Sequence, residues 1–141
     1  MISKEFIPYE QALALKELGF VELCFGWYSE EEKKLYSLSS HGKQDTPDVC
    51  LAPIYQQAFR WFREKYNLQH ELTSIQENSW LITIRDISLT TRHGLYIGEK
   101  WDCDDLENNI PHTYEEAEFA CLKKLIEIVN QNKDDESVRK N

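Results

Sequence analysis

The side chains best suited to chemistry are carboxylates, and they crowd into one segment. Between Glu99 and Glu118 stand Glu99, Asp102, Asp104, Asp105, Glu107, Glu115, Glu116 and Glu118, against Lys100 alone. Several oxygen ligands on a short acidic loop can hold a hard divalent cation. Asp102, Asp104 and Asp105 begin somewhat like such a loop. The pattern then fails, with Leu106 where a ligand is needed and Glu107 where the tight turn needs glycine. No metal ligand is assigned on that basis. A second chemistry is recognition of a basic protein, with Trp101, Asp102, Asp104, Asp105 and Glu107 as the surface and charge steering the encounter. The plainest reading is a solvated loop, followed by acids that complement the dipole of a starting helix.

The remaining reactive types are scattered. His41, His70, His93 and His112 share no metal-ligand spacing with one another or with Cys24, Cys50, Cys103 and Cys121. His41-Gly42 and His93-Gly94 read as turns. A cysteine and a histidine, Cys103 and His112 for example, could meet in space as nucleophile and base, which spacing neither shows nor forbids. The five glycines form no phosphate-cradling loop or dinucleotide fingerprint, and no nucleophile elbow is present. No catalytic or cofactor-binding residue is therefore assigned.

Bulk properties narrow the partners. The 141 residues carry 25 acidic and 16 basic side chains, a formal charge of −9. Displacing the counterions of a nucleic acid, or docking on an anionic membrane, needs the opposite balance. Arg60, Arg63 and Lys65 beside Trp61 could form a small stacking patch, but three charges on one helix are ordinarily its solvent side. Neither nucleic acid nor membrane is expected as a partner. Met1 to Pro8 lacks the apolar core of a secretory signal, and no apolar run nears the roughly 18–20 residues of a membrane span. The four cysteines lack a C-x-x-C pair, so a reduced, cytoplasmic setting is expected.

The elements that must position these residues are legible from periodicity. Pro53 to Tyr66 gathers Ile54, Tyr55, Ala58, Phe59, Phe62 and Tyr66 into an arc of roughly 140° at helical pitch, with Trp61 at its edge. An aromatic face of that breadth covers something flat, such as a sheet. Pro8 to Leu18 reads as a first helix stopped by Gly19. Thr113-Tyr-Glu-Glu116 is a capping box opening a helix to about Asn130, with an apolar arc of roughly 200°. So wide an arc touches two things, the second being another helix or a second copy of the chain.

Phe20 to Tyr28 and Leu35 to Leu38 read as a hairpin around the polar Glu30–Lys34 turn. Ser39 to Ala52 reads as a long loop. Leu72 to Ile75, Trp80 to Asp86 and Leu95 to Gly98 are further strands, Trp80–Asp86 being the clearest by alternation. The expected fold is α+β, an antiparallel sheet of about four to five strands with three helices packed mainly on one face. Residues 1–130 are expected to form one domain, with 131–141 a disordered tail.

Three helical stretches carry a resemblance: Ile7-Pro-Tyr-Glu-Gln-Ala-Leu-Ala-Leu-Lys-Glu-Leu-Gly-Phe20, Ala52-Pro-Ile-Tyr-Gln-Gln-Ala-Phe-Arg-Trp-Phe-Arg-Glu-Lys-Tyr66 and the run from Thr113 to Val129. Their wording resembles a group of small uncharacterised proteins of bacterial genomes, phages and mobile elements. The group has no known activity. It implies an accessory or phage-related role and no catalytic residue. The expected function is a non-enzymatic interaction protein that offers the Trp101–Glu107 acidic surface to a basic protein and can dimerise through residues 113–130. The alternative is a small enzyme with its site near the 39–52 loop.

Overall fold

The computed structural model describes residues 4–37, 49–88, 100–102 and 110–139. The chain divides into two compact units, Met1–Ala58 and Phe59–Asn141. Among the described residues all strand pairing is antiparallel, and the protein is α+β. No described helix is long and apolar enough to cross a membrane.

The first unit opens on α1 (Tyr9–Glu17), which buries Ala12 and Leu15. Its end is a Schellman turn. Gly19 takes φ 98°, its N–H reaches the Lys16 carbonyl at 3.0 Å, and the Phe20 N–H reaches the Leu15 carbonyl at 2.9 Å. Gly19 therefore stops the helix as its sequence position predicts. Strand β1 (Gly26–Ser29) lies between β2 (Leu35–Ser37) and β3 (Val49–Ala52). The β1–β2 hairpin was expected, but β3 occupies the end of the stretch read as a loop. Val49 and Cys50 form a short apolar run too brief to declare itself; pairing to Ser29 and Tyr28 makes it a strand.

The inner face of this sheet is tightly closed. Tyr28 donates its buried hydroxyl to the Ile7 carbonyl at 2.8 Å and meets Tyr9 edge-on. At Gly26 a Cβ would stand 2.7 Å from Phe6 Cε1 and 3.1 Å from the Tyr36 carbonyl oxygen. One neighbour is main chain and cannot rotate away. Gly26→Ala is expected to destabilise by about 1–2 kcal/mol, read from the urea midpoint.

Helix α2 (Tyr55–Tyr66) starts two residues after Pro53, which is not its first helical residue. Ile54 instead bridges Phe6, and Ala58 N–H bonds the Ile54 carbonyl at 3.1 Å. The predicted apolar arc is buried at Tyr55, Ala58, Phe59 and Phe62, and Trp61 joins it.

In the second unit β4 (Leu68–Gln76), β5 (Ser79–Asp86) and β6 (Lys100–Asp102) form a separate sheet with β5 central. Among the described residues the expected single sheet is thus two three-stranded sheets. With α2 between β3 and β4 in the chain, each group of strands pairs with its nearest sequence neighbours. Leu95–Gly98 lies outside the described residues, and the strand that does pair with β5 begins at Lys100.

Helix α3 (Tyr114–Arg139) packs on β4 and β5 through Ala117, Cys121, Leu122, Leu125, Ile128 and Val129. It runs nine residues past the expected end at Asn130, through the stretch read as a disordered tail. Those residues lack apolar periodicity, so the packed turns before them supply the nucleus that an isolated segment would lack. The capping box forms, with one change. Glu116 N–H donates to Thr113 Oγ1 at 3.1 Å, but the Glu116 carboxylate accepts from the His112 N–H at 2.8 Å, not from the cap itself. Thr113→Ala is expected to lower stability by about 1 kcal/mol, with Thr113→Ser nearly neutral in the same denaturation assay.

Candidate interaction surface

The acidic segment is only partly placed by the fold. Trp101 and Asp102 belong to β6, the last strand of the described sheet, where Trp101 stands opposite Ile84 and Asp102 opposite Thr83. Asp104, Asp105 and Glu107 lie outside the described residues. Its C-terminal acids Glu115 and Glu116 occupy the first turn of α3. Among the described residues no group of three or more histidines, cysteines or carboxylates is arranged to hold a metal.

The thiols and imidazoles with described side chains take structural positions. Burial pushes the Cys24 thiol up to about 12 and the Cys50 thiol up to about 11. Both stay protonated near neutral pH and are poor nucleophiles. Cys121 is buried on α3. His112 is exposed, its Nδ1 lying 3.0 Å from the Asn78 carbonyl, where it helps dock the β4–β5 turn beside the start of α3. His70 stacks on Phe59 with ring centroids 3.9 Å apart. His41, His93 and Cys103 lie outside the described residues. Trp61 is buried, with the Lys65 ammonium 4.9 Å from its ring, so it offers no open face for stacking a base.

The most conspicuous surface feature lies elsewhere, in the stretch leading into β1. Val21, Leu23 and Phe25 are 82%, 78% and 61% exposed, while Phe20 and Cys24 between and before them are buried. Burial alternates along this stretch although the strand begins only at Gly26 and Phe25 sits in a bend. Here the outer face is apolar as well. Large apolar side chains exposed singly are ordinary, but three on one strip of five residues are not.

The Leu23 carbonyl accepts from Gln57 Nε2 at 3.0 Å. Among the described residues, the N–H groups of Val21, Leu23 and Phe25 have no hydrogen-bond partner. The sequence reads Phe20–Tyr28 as a strand; the strand begins only at Gly26, and the strip before it is not among the candidate sites. The alternation Val-Glu-Leu-Cys-Phe held the signal, but which parity faces the core is set by packing alone.

No known protein family, curated protein or solved structure matches the chain.

Proposed function

We propose that this protein is a non-enzymatic interaction protein whose principal contact is the Val21–Leu23–Phe25 strip. The observation that carries this reading is the exposure of three large apolar side chains within five residues of one short segment. Exposed apolar surface of this kind favours a partner, because covering it removes it from water. The acidic Trp101–Glu107 segment serves in the same reading as a second, steering contact for a basic partner. On α3 a second copy would find Tyr114 and Phe119 exposed, 45% and 39%, and Ile126 half-buried outside the buried arc. Each is less exposed than any of the three strip residues, so the reading puts the partner at the strip. An accessory role in a phage or mobile element follows from the resemblance of the helices alone.

Affinity capture from a native lysate tests the proposal with three baits at low and high salt: wild type, Asp102→Asn/Asp104→Asn/Asp105→Asn, and Val21→Ser/Leu23→Ser/Phe25→Ser. A protein held by the wild type is expected to be lost by the strip variant at both salts, and weakened by the acidic variant mainly at low salt. Equal capture by all three baits, or none by any, would sink the reading.

A further inference from the structure

We draw no further inference here: the strongest candidate, the exposed apolar patch of Val21, Leu23 and Phe25 in the stretch leading into β1, carries nothing beyond the reading above, because nothing in the structure shows what covers it.

Discussion

Phe62→Ala is expected to destabilise the protein by about 3–5 kcal/mol, the range for emptying a buried aromatic site. Phe62 is completely buried on α2, with Trp61 edge-on at 5.1 Å and Tyr66 tilted at 6.0 Å between ring centroids. Both neighbours are rigid rings on the same helix, so neither can swing far into the space left behind. The better helix propensity of alanine returns only a few tenths of a kcal/mol. Arg60→Ala, on the exposed side of the same helix, should stay within about 0.5 kcal/mol. Urea denaturation of both variants, followed by circular dichroism, measures the difference. A loss below about 1 kcal/mol for Phe62→Ala would mean that the ring cluster collapses to fill the cavity.

The second large effect is loss of stability on mild acidification, traced to one imidazole. His70 on β4 lies half-buried against Phe59, its ring inclined 23° to that ring. Burial, aided by the Arg63 guanidinium and partly opposed by the Glu71 carboxylate, pushes its pKa down from 6.5 to about 4. Above pH 6.5 the ring is neutral in both folded and unfolded chains and contributes no pH dependence. Between 6.5 and 4 the unfolded chain binds the proton more readily, so stability falls as pH falls. Below about 4 that loss is complete. Each pKa unit is worth about 1.4 kcal/mol, and partial exposure of the ring argues for a total of about 2 kcal/mol. His70→Phe should flatten the profile between pH 6.5 and 5.5, above the ordinary carboxylate range. An unchanged slope would place the acid sensitivity in other groups.

The two predictions rest on features of different legibility. The buried arc of α2 was readable because helical periodicity needs only the chain itself, and Ala58, Phe59 and Phe62 fall where the pattern puts them. Gly19 and the Thr113–Glu116 box were readable for the same reason: both are local hydrogen-bond arrangements with fixed offsets. The pKa of His70 was not readable. It depends on a ring delivered from α2, eleven residues away, onto a strand whose start the sequence left unassigned.

The candidate surface follows the same division. The charge concentrated between Glu99 and Glu118 is a fact of composition, yet β6 begins inside that segment because Lys100–Asp102 finds β5, which no local pattern announces. Likewise, β3 exists because Val49–Ala52 meets β1, and the division into two sheets follows from such long-range pairings. The residues Val21, Leu23 and Phe25 are apolar by sequence; their exposure is not. Period-two alternation leaves two faces open, and only packing of Phe20 and Cys24 into the first unit turns the other face outward. The sequence by itself determined the helices, their caps and the charge. Tertiary structure decided the strand partners and the outward face, because both depend on contacts between residues far apart in the chain.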